Sequence, residues 1–298
     1  MEDWMNRCTL CPRRCGADRT VSVGRCGVGE QVRLARAALH FWEEPCVSGA
    51  EGSGTVFFSG CSLGCVFCQN YQISAGHFGR DIPVERLAEI FLELQEQKAN
   101  NINLVTGGHY IPQIVWALDL VRGKLHIPVV YNSSGYETVE ALRMLKGYVD
   151  VYLPDLKYRS PERGARYSHA PDYFAVASKA ILEMFDQVGP VRFDGQGMIQ
   201  KGLIVRHMVM PNGVEDSMDI LTWIAGNLPL DDILVSVMSQ YTPFYRSGEY
   251  PEIDRRLTAR EYDRVLDWLD CMGIENGFVQ ELSSAKEEYT PDFSLQGV

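Results

Sequence analysis

The chain has 298 residues, of which 46% are hydrophobic and 22% are charged, and its formal net charge is −11. This composition is typical of a globular protein with a sizeable core, and the acidic balance argues against an electrostatic nucleic-acid binder. The first residues lack the basic start and apolar run of a signal peptide, and no apolar stretch is long enough to span a bilayer. We therefore expect a cytoplasmic protein that binds neither nucleic acid nor membrane.

The amino-terminal segment, residues 1–50, contains a group of four cysteines: Cys8, Cys11, Cys15 and Cys26. In a chain without an export signal, such cysteines indicate metal ligands rather than disulfide bonds. Four thiolates can hold a structural zinc ion, whose binding energy folds a segment with few apolar residues. They can equally hold a second [4Fe–4S] cluster. The Cys-x-x-Cys-Pro turn slightly favours zinc, and the cysteines alone do not separate the two.

A second cysteine group follows the apolar run 55–58 and consists of Cys61, Cys65 and Cys68. Spacings of three and two residues let three thiolates of one loop converge on a single iron–sulfur cluster. Such clusters normally have four thiolate ligands, so a three-cysteine loop leaves one iron open. A metal with an open position can bind and activate a small molecule. A zinc knuckle or a set of buried thiols is the alternative.

Strand and helix patterns alternate along the rest of the chain. Runs of β-branched residues predict strands, and the segments between them have helical spacing. The predicted strands are 55–59, 102–106, 128–132, 149–154, 202–211 and 233–239, with a seventh candidate at 277–282; the predicted helices are 84–98, 111–121, 137–145, 171–188, 214–227 and 258–271. This alternation predicts crossover units around a parallel sheet. An open Rossmann-type sheet also fits, but no Gly-x-Gly-x-x-Gly follows the first strand.

Polar residues follow the predicted strands, at the ends where barrel enzymes carry their reactive groups. They are Gly107, Gly108 and His109 after the second strand, Asn132 and Ser134 after the third, Asp155 and Lys157 after the fourth, and Arg206 and His207 in the fifth. Turn chemistry or a surface ion pair accounts for each one individually, and a buried core histidine is an equal alternative for His207. Because all of them fall at strand ends, they predict a binding site.

The pattern Cys-x3-Cys-x2-Cys, with Phe67 before the last cysteine, resembles the signature of the radical S-adenosylmethionine (SAM) superfamily. Residues 8–15, which read CTLCPRRC, are similar to its branch of pyruvate formate-lyase-activating-enzyme-like Fe–S proteins. The resemblance implies an α/β fold: a partial (β/α)6 TIM-like barrel with a C-terminal extension at 51–298, preceded by a small cysteine-rich metal-binding segment at 1–50.

The same resemblance implies cofactors and a partner. A [4Fe–4S] cluster on Cys61, Cys65 and Cys68 would bind SAM at its open iron and, once reduced, cleave it to methionine and a 5′-deoxyadenosyl radical. An electron donor such as flavodoxin or ferredoxin would reduce the cluster.

The resemblance also assigns SAM-binding roles at the strand ends. Gly107 and Gly108 match a Gly-Gly-Glu motif that binds the SAM amino group, but His109 replaces the glutamate and leaves backbone carbonyls to serve. Asp155-Leu156-Lys157 resembles an Asp-Leu-Lys motif of glycyl-radical activating enzymes, in which Lys157 would pair with the SAM carboxylate. Candidates for the ribose and the adenosyl side are Asn132, Ser134, Arg206 and His207.

Three functions are compatible with these features. The first is an oxidoreductase that abstracts hydrogen from a protein or peptide, as glycyl-radical activating enzymes do. The second is a radical SAM enzyme that acts on a small metabolite. The third is a non-catalytic scaffold in which the cluster and zinc are structural; against it, no fourth cysteine follows Cys68 nearby. The sequence does not identify the substrate.

Overall fold

The computed structural model describes residues 2–282 and 291–298. Its ten strands are β1 (Val32–His40), β2 (Ser53–Phe58), β3 (Arg80–Ile82), β4 (Ile102–Val105), β5 (Val129–Ser133), β6 (Val151–Pro154), β7 (Arg192–Phe193), β8 (Ile199–Met208), β9 (Leu234–Met238) and β10 (Gly277–Val279). The α-helices are α1 (Glu2–Asn6), α2 (Pro45–Ser48), α3 (Tyr71–Ser74), α4 (Val84–Glu96), α5 (Ile111–Leu120), α6 (Val139–Met144), α7 (Pro161–Ser168), α8 (Tyr173–Val188), α9 (Val214–Asn227) and α10 (Ala259–Cys271).

The strands form one sheet in the order β10-β9-β8-β6-β5-β4-β2-β1-β3, and β7 pairs with β8. Within this sheet order, the neighbouring strands β2, β4, β5, β6, β8, β9 and β10 pair in parallel. Every residue of β2, β4, β5, β6 and β9 is buried, as expected for strands that are covered on both faces. The described sheet has two free ends, at β3 and β10. The predicted α/β class and partial TIM-like barrel are confirmed.

All six predicted helices are present, and local residue chemistry sets their beginnings. Thr138 caps α6 by accepting a hydrogen bond from the Ala141 amide, so this helix begins two residues later than predicted. Thr258 and Glu261 form a capping box at the start of α10, a pairing that satisfies free amides at the helix end. The prediction missed α7, which begins after the capping residue Ser160.

The sequence analysis also missed the antiparallel strand β1, which lies inside residues 1–50. It pairs with β2 from Leu34 opposite Phe58 to His40 opposite Ser53. The barrel sheet therefore includes residues that precede position 51. Because β1 runs antiparallel to β2, it ends at the amino-terminal side of the parallel strands, and the residues after His40 reach the barrel from that side.

The last described segment, residues 291–298, lies along β1. The Leu295 amide donates to the Ala35 carbonyl at 3.0 Å, and the Ala37 amide donates to the Gln296 carbonyl at 2.8 Å. This segment therefore extends the hydrogen-bonding pattern of the sheet at that edge. Among the described residues, no helix combines the length and apolar character needed to cross a bilayer.

Candidate active site

A cavity lies inside the barrel, where the cysteine loop after β2 meets the carboxyl ends of β4, β5, β6, β8 and β9. Eight predicted site residues line it: Cys61, Cys65, Cys68, Asn132, Ser134, Asp155, Lys157 and Arg206. The other predicted site residues lie outside its lining: Gly107, Gly108, His109, His207 and the four amino-terminal cysteines. The structure thus brings five of the nine predicted strand-end residues together in the lining of one cavity.

Hydrogen-bond donors surround the three thiols of the cysteine loop. The Leu63 amide donates to Cys61 Sγ at 3.4 Å, Ser74 Oγ donates to Cys68 Sγ at 3.3 Å, and Ser168 Oγ lies 2.9 Å from Cys65 Sγ. Burial raises the pKa of Cys65 to about 12, although the nearby Lys157 acts in the opposite direction. A free Cys65 is therefore a thiol at neutral pH, and a bound iron would have to displace its proton.

The loop suits a cubane better than a single ion. Within residues 2–282 and 291–298, no three histidine, cysteine or carboxylate side chains are placed to hold one metal ion. A cubane makes no such demand, because each thiolate binds a different iron. The three thiols line one cavity and accept or exchange hydrogen bonds, which is the kind of environment that tunes clusters. The donor set therefore fits a [4Fe–4S] cluster.

Four charged side chains form a buried network on the cavity wall. Asp155 accepts from Lys157 Nζ at 2.5 Å and from Arg206 Nε at 3.0 Å. Arg206 also donates to Glu43 at 3.1 Å and to the Asn132 side-chain oxygen at 2.6 Å. Two acids thus balance two bases, which is how charges survive burial.

The same network fixes the protonation of Asp155 and Lys157. Burial alone would raise the pKa of Asp155, but Arg206 and Lys157 outweigh that effect and hold the pKa below its ordinary value. Burial would likewise lower the pKa of Lys157, and Asp155 reverses this and raises it. The cavity wall therefore carries a fixed carboxylate and a fixed ammonium group.

Glu43 is a cavity residue that the sequence analysis missed. It follows β1 and reaches the interior from the amino-terminal side of the parallel strands, where it accepts hydrogen bonds from Asn103 at 3.0 Å and from Asn132 at 3.1 Å. The prediction considered only residues at the carboxyl ends of strands. The available signal was the mostly apolar run at 32–42 directly before Glu43 and Glu44, which is compatible with a strand leading to acidic residues.

Gly107 and Gly108 face protein rather than open space. A Cβ on Gly107 would lie 2.6 Å from the Ile114 side chain, and one on Gly108 would lie 3.1 Å from the Glu137 carboxylate. The residue before them, Thr106, lines the cavity with a positive φ of 60°, a backbone strain that is common at functional sites. The turn's contribution to the cavity therefore comes from Thr106.

His109 and His207 are both buried in hydrogen-bonded positions away from the cavity. His109 Nε2 lies 2.8 Å from the Ser59 carbonyl, and burial lowers its pKa to about 3. His207 lies between the Leu156 carbonyl at 2.7 Å and Ser217 Oγ at 2.8 Å. Successive strand residues point to opposite faces. Because Arg206 faces the barrel interior, His207 faces the helix layer.

The segment after β9 packs over the cysteine loop. Tyr241 is buried, donates to the Ile253 carbonyl at 2.9 Å and packs against Phe67 at a ring distance of 5.7 Å. The Arg246 amide donates to the Val66 carbonyl at 2.9 Å, and Phe244 lines the cavity. This segment therefore helps to separate the three thiols from solvent.

The four amino-terminal cysteines, here called the N-terminal group, also lie together. Burial raises the pKa of Cys11 to about 11, and Cys26, Cys8 and Cys15 raise it further through their proximity. A Cβ built on Gly24 would lie 3.2 Å from Cys26 Sγ and 3.6 Å from Cys15 Sγ. The N-terminal group is next to the cavity loop, because the Cys61 amide donates to the Cys26 carbonyl at 3.2 Å.

Comparisons with known proteins identify relatives of this arrangement. A family model described as the radical SAM superfamily matches residues 55–199. The uncharacterized protein MJ0674 of Methanocaldococcus jannaschii is 35% identical over 277 residues, which cover 90% of this chain and 75% of that protein.

Two solved structures share the fold at low sequence identity. The FeFe-hydrogenase maturase HydG from Carboxydothermus hydrogenoformans aligns with a TM-score of 0.52 and 12% identity, over 79% of this chain and 56% of its own. SuiB from Streptococcus suis aligns with a TM-score of 0.50 and 13% identity, over 78% of this chain and 50% of its own. The chain thus spans about half of each, and at these identities the likeness concerns the fold alone.

The region that the family model matches contains the cysteine loop and the ends of β4, β5 and β6. Membership of this family implies a [4Fe–4S] cluster and SAM as cofactors. The chain belongs to the radical SAM superfamily.

Proposed function

We propose that this chain cleaves SAM reductively at a [4Fe–4S] cluster held by Cys61, Cys65 and Cys68. When bound, the reduced cluster supplies one electron to SAM, which splits into methionine and a 5′-deoxyadenosyl radical that abstracts hydrogen. The observation that supports this proposal most is that three thiols line the same cavity as a buried, charge-balanced network.

The cavity offers groups of the right chemistry for a zwitterionic cofactor. Lys157 presents an ammonium group that Asp155 keeps charged, and it can pair with the SAM carboxylate. The side-chain oxygen of Asn70, which lines the cavity, is buried and has no partner among the described residues. A buried acceptor without a partner is costly, and the SAM amino group would satisfy it.

The ribose is best placed against Ser134. Asn132, the other sequence candidate, already accepts from Arg206 and donates to Glu43, so its amide is committed to the protein. Ser134 lines the same cavity, and its hydroxyl can donate or accept. Arg206 then acts by holding Asp155 and Asn132 in position rather than by contacting SAM.

We also propose that the hydrogen donor is a protein or peptide. The exposed ring of Tyr245 stacks on Tyr71 at 5.2 Å, one residue after the cavity residue Phe244. Aromatic residues are enriched where proteins dock, which supports a macromolecular substrate. The alternative is a small metabolite, and the experiment below distinguishes them.

Cofactor cleavage is tested with anaerobically reconstituted, dithionite-reduced protein. We expect 5′-deoxyadenosine and methionine in equal amounts. An intact cluster that yields neither product contradicts the proposal and favours a structural scaffold.

The substrate class is tested with a deuterium-labelled cell extract separated into macromolecules and small molecules. We expect deuterium to enter 5′-deoxyadenosine from the macromolecular fraction. Transfer from the small-molecule fraction alone would establish a metabolite as the donor.

A further inference from the structure

Arg19 is a buried cation with no acidic partner among the residues that the structure describes. Its side chain belongs to a residue that is 2% exposed, and it donates to the Gly29 carbonyl at 2.6 Å and the His109 carbonyl at 2.6 Å. Its guanidinium also lies over the Tyr110 ring, 5.4 Å from the centroid. No carboxylate in the described chain lies within ion-pair distance of it. Buried arginines are rarely unpaired, so a negative charge is expected nearby.

The sulfurs of the N-terminal group lie near Arg19 and are candidates for that charge. A Cβ on Gly24 would lie 3.9 Å from Arg19 Cδ, and the same point is within 3.6 Å of two sulfurs, Cys15 Sγ and Cys26 Sγ. Four thiolates on a zinc ion or on a [4Fe–4S] cluster carry a net negative charge. Arg19 would then compensate a buried metal–thiolate site.

Hydrogen bonds connect the N-terminal group directly to the cavity loop. The carbonyl of Cys26 accepts a hydrogen bond from the amide of Cys61 at 3.2 Å. This hydrogen bond links a candidate ligand of the N-terminal group directly to a candidate ligand of the cavity loop. Arg13, between Cys11 and Cys15, donates to the Ser62 carbonyl at 2.8 Å and to the Ser168 carbonyl at 3.0 Å. The hydroxyl of Ser168 in turn touches Cys65 Sγ.

The two sites differ in their access to solvent. Cys15 is exposed, whereas Cys65 is buried under the segment that follows β9. An external donor can therefore approach the N-terminal group more closely than it can approach the thiols of the cavity loop.

From these observations we propose that Cys8, Cys11, Cys15 and Cys26 hold a second iron–sulfur cluster that passes electrons from the protein surface to the cluster of the cavity loop. Zinc has no redox chemistry and needs its ligands gathered around one ion, whereas no three such side chains within residues 2–282 and 291–298 are placed to hold a single metal ion; in a cubane each thiolate binds a different iron. The proposal rests on the proposed SAM cleavage for the destination of the electron, but not for the presence of iron.

One electron from one external donor protein is enough to balance the proposed transfer. A low-potential one-electron protein of the ferredoxin or flavodoxin class reduces the N-terminal cluster and is itself oxidised by one electron. That electron moves to the cavity cluster, and the N-terminal cluster returns to its oxidised state. Reduction of SAM by the same electron breaks one C–S bond, giving methionine and the 5′-deoxyadenosyl radical.

The presence of the second cluster is tested in the triple variant Cys61→Ser, Cys65→Ser, Cys68→Ser, which removes the cavity ligands. We expect about four irons and about four sulfides per chain, with a paramagnetic signal after reduction. One zinc ion and no iron per chain would overturn the proposal. This result does not depend on SAM cleavage, so the two proposals fail independently.

The direction of electron flow is tested in the wild-type protein by freeze-quench paramagnetic resonance. The protein is reduced by one electron per chain, separated from the donor, and mixed with SAM. We expect the N-terminal signal, identified from the triple variant, to decay at the rate at which 5′-deoxyadenosine forms. A signal that persists while product forms overturns the relay.

A single substitution in the N-terminal group tests the electron relay independently. Cys15→Ser weakens the exposed edge of the N-terminal group, and we expect reduction of the cavity cluster by reduced ferredoxin to slow by at least about tenfold. The matched control is Cys271→Ser at the end of α10, an exposed cysteine, which should be reduced at the wild-type rate. Equal rates for Cys15→Ser and wild type would also count against the relay.

Discussion

The two cysteine regions use the same ligand type but obtain their shape in different ways. The cavity loop is held by the barrel, with Val66 and Phe67 buried against its core. The N-terminal group is shaped by tight turns, with positive φ at Arg14, Gly16 and Gly27, and by arginines that bind carbonyl groups. The comparison teaches that a metal site inside a barrel can be formed before its metal arrives. A site built from turns depends more on the metal it holds.

The largest expected effect separates the two regions by function. Cys65→Ala should reduce formation of 5′-deoxyadenosine by at least about 100-fold, since losing a ligand should cost no less than losing a group that supports one. Its thermal midpoint should change little, because the barrel holds the loop. Cys11→Ala should instead lower the thermal midpoint. A large loss of stability in Cys65→Ala, measured against Cys271→Ala, would break the comparison.

The second prediction concerns the balance of charge in the cavity. Arg206→Met leaves Asp155 and Glu43 without a shared cation, and the free energy of unfolding should fall by about 3–5 kcal/mol even in metal-free protein. The matched control is Arg264→Met, which breaks the exposed pair with Glu215 and should cost under about 1 kcal/mol. Chemical denaturation measures both. Similar losses would show that the cavity network is no more important than a surface pair.

The third prediction concerns Glu137, which lines a small cavity together with Cys11 and so lies at the boundary between the two regions. Burial raises its pKa from 4.5 to about 8, while Ser133 acts in the opposite direction. Between pH 5 and 7 the unfolded chain has lost this proton and the folded chain retains it, so the folded state loses stability as pH rises.

Glu137→Gln removes that dependence. Its stability relative to wild type should therefore increase by about 3 kcal/mol between pH 5 and pH 7, since each pH unit corresponds to about 1.4 kcal/mol. Denaturation of both proteins at each pH measures the difference. A difference that does not change with pH would show that the carboxyl group ionises normally.

The smallest expected effect lies where the two regions touch. Gly60 has a φ of 90°, and a Cβ there would lie 2.7 Å from the Cys26 carbonyl. Gly60→Ala should cost about 2 kcal/mol and lengthen the Cys61–Cys26 hydrogen bond. Gly64→Ala is the matched control, because it has a φ of 66° with nothing within 4 Å, and it should cost about 1 kcal/mol. Equal thermal shifts would mean that the contact between the regions carries no strain.

Local patterns allowed much of the fold and part of the site to be predicted. The parallel strands were recognisable because burial on both faces requires continuous apolar runs. Strand β1 was missed because its half-buried pattern includes Arg33 and Arg36 and because the segment had been interpreted through its cysteines. Glu43 was missed since its partners lie 60 or more positions away in the chain.

The individual site residues could also be predicted only in part, because their roles depend on contacts between distant parts of the chain. Alternation along β8 separates Arg206 from His207, a distinction that the sequence contained but that required the strand's register. Gly107 and Gly108 match a SAM-binding motif in the sequence, and the structure adds that a side chain at either position would meet Ile114 or Glu137. Only packing between distant elements decides which neighbour approaches a glycine.

The neutral network on the cavity wall has a practical consequence for ionic strength. Asp155, Glu43, Lys157 and Arg206 cancel one another and are largely shielded from water, so dissolved ions have little to screen there. An encounter with a charged donor protein, by contrast, occurs at the surface of a chain with a net charge of −11, so its rate changes as salt rises. Varying salt therefore distinguishes events inside the barrel from collisions at its exterior without altering a single residue.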